Sequence, residues 1–86
     1  FGGRGLRGKL LVENSLAGGM IDRFGKEVMF IPADEEHFTV NVDVRVSSQF
    51  FGWIFSLGER VKIVAPEEVV EQVRKEIRRL AEQYAK

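Results

Sequence analysis

The chain contains no cysteine. That excludes disulfides, thiol catalysis and cysteine-ligated zinc together, and it suits a reducing compartment such as the cytoplasm. There are only two prolines, and one histidine is the sole imidazole in 86 residues. With a single imidazole, no serine has a histidine base nearby to activate it. No Gly-x-x-x-x-Gly-Lys phosphate loop occurs. Charge of either sign is not in excess: 13 basic and 13 acidic residues cancel, so no domain-wide basic field attracts nucleic acid. No apolar run approaches the roughly 18 residues of a membrane span, and no signal peptide is visible. These absences argue against an enzyme, and they argue for a chain without cofactor, metal or membrane partner.

What is present is apolar and patterned. At 44% hydrophobic and 30% charged, the composition is that of one small folded domain with a modest core. The absence of an initial methionine reads as a C-terminal piece cut from something longer. Phe1–Gly8, with four glycines in eight residues, reads as a flexible lead-in from a preceding domain, and residues 9–86 as the domain. Arg4 and Arg7 in that lead-in are too few for appreciable counterion release on a phosphate backbone.

The apolar run Lys9–Glu13 predicts a first strand. Asn14 or Ser15 is placed to cap a helix whose apolar positions are Leu16, Ala17, Met20, Ile21 and Phe24, ended by Gly25. Gly18 and Gly19 within it cost about 1 kcal/mol each against alanine and imply close packing on the backbone. Val28–Ile31 predicts a second strand stopped by Pro32, and Ala33–Glu36 a hairpin turn. In the third strand Phe38, Val40, Val42, Val44 and Val46 alternate with Thr39, Asn41, Asp43 and Arg45, the mark of one buried and one wet face.

Ser47 or Ser48 opens a short aromatic helix that Gly58 ends, and Arg60–Val64 gives a fourth strand with Val61 and Ile63 inward. Pro66 starts a last helix with an apolar stripe of Val69, Val70, Val73, Ile77, Leu80, Ala81 and Tyr84. Its wet side offers Glu71 with Lys75 and Arg78 with Glu82 at i,i+4. The order is β-α-β-β-α-β with an extra C-terminal helix, which predicts an α+β, ferredoxin-like antiparallel sheet with strands one and three central.

Candidate sites are few. The open face of the third strand carries no aromatic residue, so it lacks the stacking platform of an RNA-binding sheet. His37, close to Asp34, Glu35 and Glu36, meets neither the ligand number nor the rigidity of a metal site and reads as a solvated hairpin tip. Asp22 and Arg23 fit either an exposed pair at a helix end or a contact to a polar ligand or partner domain.

The aromatic helix offers more. Phe50, Ile54 and Leu57 share one stripe, and Phe51, Trp53 and Phe55 cannot all join it. Either the last helix covers them, or they form a dimer or interdomain contact centred on Trp53. Arg23, Arg45 and Arg60 are the candidate contacts for an anionic ligand, since guanidinium forks suit phosphate.

The segments NSLAGGMIDRFGKEVMFIP and HFTVNVDVRVSSQFFGWIFSLGERVKIVAPEEVVEQV closely resemble the C-terminal extension of WYL-domain bacterial transcription regulators, the WCX domain. The resemblance runs from about Leu10 to Tyr84. It is most specific at Asp22-Arg23-Phe24-Gly25, at Ser47–Gly58 with Trp53, and at Val61–Pro66. It implies a parent protein with a DNA-binding winged helix-turn-helix and a WYL domain thought to sense a nucleotide or single-stranded DNA. In that setting the extension supports dimerisation, or docking onto the WYL domain, and the effector response. It also implies a ferredoxin-like fold.

Overall fold

The computed structural model describes residues 5–85. The elements are β1 (Gly5–Glu13), a 3₁₀ turn (Asn14–Leu16), α1 (Ala17–Phe24), β2 (Phe30–Pro32), β3 (His37–Arg45), α2 (Ser48–Ser56), a second 3₁₀ turn (Gly58–Arg60), β4 (Val61–Ala65) and α3 (Glu67–Gln83). The fold is α+β: three helices and one four-stranded antiparallel sheet in the order β2-β3-β1-β4. No described helix is long and apolar enough to cross a membrane.

The β3 alternation sets the layers. Phe38, Val40 and Val42 point to the same side as Leu10 and Val12 of β1 and Val61 and Ile63 of β4. On that face they close over Met20 of α1, Phe50, Phe51 and Ile54 of α2, and Val69 of α3 to form the core. β1 and β3 occupy the middle of the sheet, as expected for the two longest strands. On the other face, exposed Arg7 and Asp43 pair across the strands at 3.3 Å. Thr39 is buried on that face between half-exposed Leu11 and Ile31.

Several expectations are corrected. β1 starts at Gly5, so residues 5–8 of the expected lead-in are strand, paired with Val42–Arg45. Phe1–Arg4 lie outside the described residues. β2 is shifted toward Pro32, because Val28 and Met29 follow the Gly25 turn without joining β3.

Neither Asn14 nor Ser15 caps α1. Asn14 donates from Nδ2 to the Glu35 carbonyl at 3.0 Å, tying the 3₁₀ turn to the β2–β3 hairpin, and the Ser15 hydroxyl donates to Glu13. Nothing lies within 4 Å of a Cβ built at Gly18 or Gly19, so close packing does not explain them. Pro66 is the N-cap of α3 and not its first helical residue. The ion pairs on α3 are Arg74 with Glu67 and Glu71 and Arg79 with Glu76, displacing the Glu71–Lys75 and Arg78–Glu82 pairs that i,i+4 spacing suggested.

The largest departure is α3 itself. Val69 is fully buried and Val70 and Val73 pack on the core, but Ile77 is 51% and Tyr84 76% exposed. Leu80 is half-buried and Ala81 exposed. Geometry gives the reason. α3 packs on β4. The 17 residues of α3 extend about 25 Å at ~1.5 Å each. The five residues of β4 extend only about 17 Å at ~3.3 Å each. The helix outruns the strand beneath it.

Candidate functional site

The aromatic helix is built as its sequence suggests. The Ser47 hydroxyl accepts a hydrogen bond from the Phe50 N–H at 3.1 Å, so the cap is Ser47 and not Ser48. At the far end the chain passes through Leu57 into Gly58 at φ 64°, a left-handed conformation that glycine adopts without strain. Between these ends Phe50, Phe51 and Ile54 enter the core.

The three interface candidates lie in different environments. Phe51 is 8% exposed and belongs to the core. Phe55 stacks on Phe51 at 6.2 Å between ring centres and turns toward α3. There it lines an open groove of about 370 Å³ with Ile54, Val61, Val70, Val73 and Ile77. Trp53 points the other way, toward α1. Its ring meets Phe24 edge-on at 5.6 Å and 79°, and it lies tilted beside Phe50 at 6.3 Å. α3 therefore borders Phe55, while Trp53 is held by α1.

Arg23 completes the Trp53 site. Its guanidinium carbon sits 4.7 Å from the centre of the Trp53 ring, a cation–π contact on an exposed surface. α1 can present Arg23 and Phe24 together there because it stops at once. Gly25, at φ 96°, donates its N–H to the Ile21 carbonyl at 2.8 Å and turns the chain away. Sequence reading had treated the Asp-Arg-Phe-Gly run and Trp53 as separate signals. The fold brings them into contact.

The other two arginines do not join it. β1 pairs Gly5 with Arg45 and Val12 with both Phe38 and Val61. Arg45 thus lies at one end of the sheet, and Arg60, just before Val61, at the other. Seven strand residues, about 23 Å, separate the two ends. Both side chains are exposed. Arg23, Arg45 and Arg60 do not form a single clamp for one phosphate.

At the hairpin tip, His37 Nδ1 lies 2.9 Å from Asp34 Oδ1, which also accepts the Glu36 N–H at 2.7 Å. The His37 hydrogen bond, and then the Glu36 N–H, hold the Asp34 carboxyl below its usual range. The tip is a hydrogen-bonded turn and not a set of free carboxylates. Among the described residues, no group of three or more His, Cys, Asp or Glu side chains is placed to hold a metal ion.

A second open cleft, of about 460 Å³, lies where β2 stops short along β3, between Arg7, Asn41 and Asp43 on one side and Glu27 and Met29 on the other.

Compared with known families, residues 6–81 match the model of the WCX domain. The chain belongs to the WCX-domain family. No curated protein and no solved structure matches it significantly. Both parts of the Trp53 site lie inside the matched WCX segment, as do both walls of the Phe55 groove. The contact between Arg23 and Trp53 was hard to read from sequence, because 30 residues separate them and only the α1–α2 packing joins them.

Proposed function

We propose that this WCX domain is a non-catalytic regulatory and assembly domain of a WYL-type helix-turn-helix transcription regulator, supporting oligomerisation and the effector response. The family match over residues 6–81 carries the reading. The strand order β2-β3-β1-β4 supports a ferredoxin-like classification, since two interleaved split βαβ units place β3 between β2 and β1, and β1 between β3 and β4. DNA reading belongs to the helix-turn-helix domain of such a regulator. The surface offered here is aromatic and cationic. Trp53, framed by Phe24 and capped by Arg23, has the residue types that dominate interface energetics.

The solution mass of the chain over a hundredfold concentration range, together with titration against a purified WYL domain, tests this reading. Concentration-dependent dimerisation or saturable WYL binding is expected. A strict monomer that also ignores the WYL domain overturns it. Trp53→Ala is expected to weaken the observed association by about 2 kcal/mol. Unchanged association in a folded variant removes Trp53 from the interface.

Direct binding of a nucleotide or oligonucleotide effector by this domain has less support, since the opposed positions of Arg45 and Arg60 leave no common anion site.

A further inference from the structure

β3 runs on past the strand beside it. Among the described residues β2 pairs with β3 only from Phe38 to Val40, and Met29, next in line opposite Asn41, has left the sheet. Hydrogen bonds at the hairpin fix which way the β3 backbone groups point. The Ala33 N–H donates to the His37 carbonyl at 3.0 Å, and the Asn14 N–H donates to the Glu36 carbonyl at 2.8 Å. Odd-numbered residues of β3 therefore address the β2 side, and even-numbered ones address β1. Past Val40 this turns the N–H and C=O groups of Asn41, Asp43 and Arg45 outward along an open margin. The cleft of about 460 Å³ lies at its near end, with Asn41 and Asp43 on one side and Glu27 and Met29 on the other. Such a row of backbone groups suits one kind of occupant, another extended strand.

The charges along the margin say which strand fits. Asp43 and Arg45 are both exposed, and their places in the alternation put them on the sheet face away from the helices. A two-fold axis lays β3 of a second copy antiparallel to the first, and the ladder forms only where outward residues oppose outward residues. Few registers remain. An axis at residue 42 drives the second strand into Phe30, which already stands opposite Val40. An axis at Asp43 sets that carboxylate against its own copy, and an axis at Arg45 does the same with the guanidinium. An axis at residue 44 sets Asp43 against Arg45 twice, opposite charges in directly facing positions. Asp43, which Arg7 meets at 3.3 Å, then lies between two guanidinium groups. The second strand ends at its own Arg45, opposite Asp43, and so stops short of Met29.

We propose that the open margin of β3 docks a second copy of this chain through antiparallel β3–β3 pairing about residue 44, Asp43 of each copy facing Arg45 of the other. The two four-stranded sheets become one continuous sheet with all the helices on one side. Pairing uses the margin of both copies, so assembly there stops at two. This rests on the reading of the domain as an assembly module, and it names the surface. The contact is a few residues per strand, below the size of a standard interface, so the dimer forms with measurable concentration dependence.

Sedimentation velocity on the 86-residue chain tests it, with circular dichroism to verify folding. Asp43→Arg and Arg45→Asp alter exposed side chains, and each sets like charges opposite in both facing pairs. Each variant alone is expected to raise the dimer Kd by about tenfold or more. An equimolar mixture of the two restores opposite charges at both pairs and is expected to recover the dimer, which no folding defect would produce. Amide hydrogen exchange at Asp43 and Arg45 is expected to slow as the dimer fills. A wild-type dimer whose Kd neither variant moves, or whose Asp43 and Arg45 amides stay unprotected, overturns the β3 margin and leaves the assembly reading standing. Variants that weaken the dimer and do not recover it when mixed overturn the register. A wild-type chain that stays monomeric throughout overturns the proposal, and WYL-domain binding then decides the broader reading separately.

Discussion

α2 and α3 take opposite approaches to the same sheet. α2 has nine residues, three of them fully in the core, and its remaining aromatics are tucked against neighbours on either side: Trp53 on α1 and Phe55 toward α3. α3 has 17 residues and fully buries only Val69. The more hydrophobic helix is the more enclosed one, and the more polar helix leaves its apolar stripe half uncovered. Hydrophobicity of a segment therefore does not locate the exposed apolar surface. The length of a helix relative to the strand beneath it does, and here that puts the patch on the C-terminal half of α3.

The sharpest way to break the contrast is to remove one large side chain from each helix. Phe50→Ala takes a 5%-exposed ring out of the junction of α2 with the sheet, and a loss of about 3–5 kcal/mol in chemical denaturation is expected. A loss under 1 kcal/mol would mean that the core re-closes around the site. The two halves of α3 should then separate from each other. Val69→Ala, at a fully buried position, is expected to cost about 2 kcal/mol, and Tyr84→Ala less than about 0.5 kcal/mol in the monomer. Equal effects would show that the end of α3 is held more firmly than its exposure indicates.

Much of this contrast was legible beforehand. The alternation from Phe38 to Val42 located the buried face of β3, and the serine before the aromatic run located the start of α2. The apolar stripe of α3 was equally plain, yet its exposure was not. Periodicity identifies which face of a helix is apolar and carries no information about how far the neighbouring sheet extends. β4 stops at Ala65, and that limit becomes visible only once its register with β1 is known. The Trp53 site was hidden for a related reason. Its parts are local signals, and their meeting depends on packing between helices. α1 was misread at its start because the Asn14 side chain, which a capping pattern would direct to the backbone of its own helix, is used by the hairpin through the Glu35 carbonyl.

The smallest expected effect lies in that hairpin, away from both helices. Asp34 has its carboxyl pKa lowered by His37 and the Glu36 N–H, so its contribution to folding is complete above the unfolded value near 3.8 and is lost as pH falls through the lower folded value. Asp34→Asn should flatten only the most acidic limb of a stability–pH profile and leave neutral pH almost unchanged. A shift of the profile above pH 5 would implicate a different group.

β2 is three residues long and ends in Pro32, which has no N–H to offer a neighbouring strand. Along β2 the sheet has little with which to recruit further strands, a blunt margin that works against edge-to-edge aggregation. With lateral growth of the sheet discouraged there, any contact made along that margin falls to side chains rather than backbone groups, and side chains are what select one partner over another.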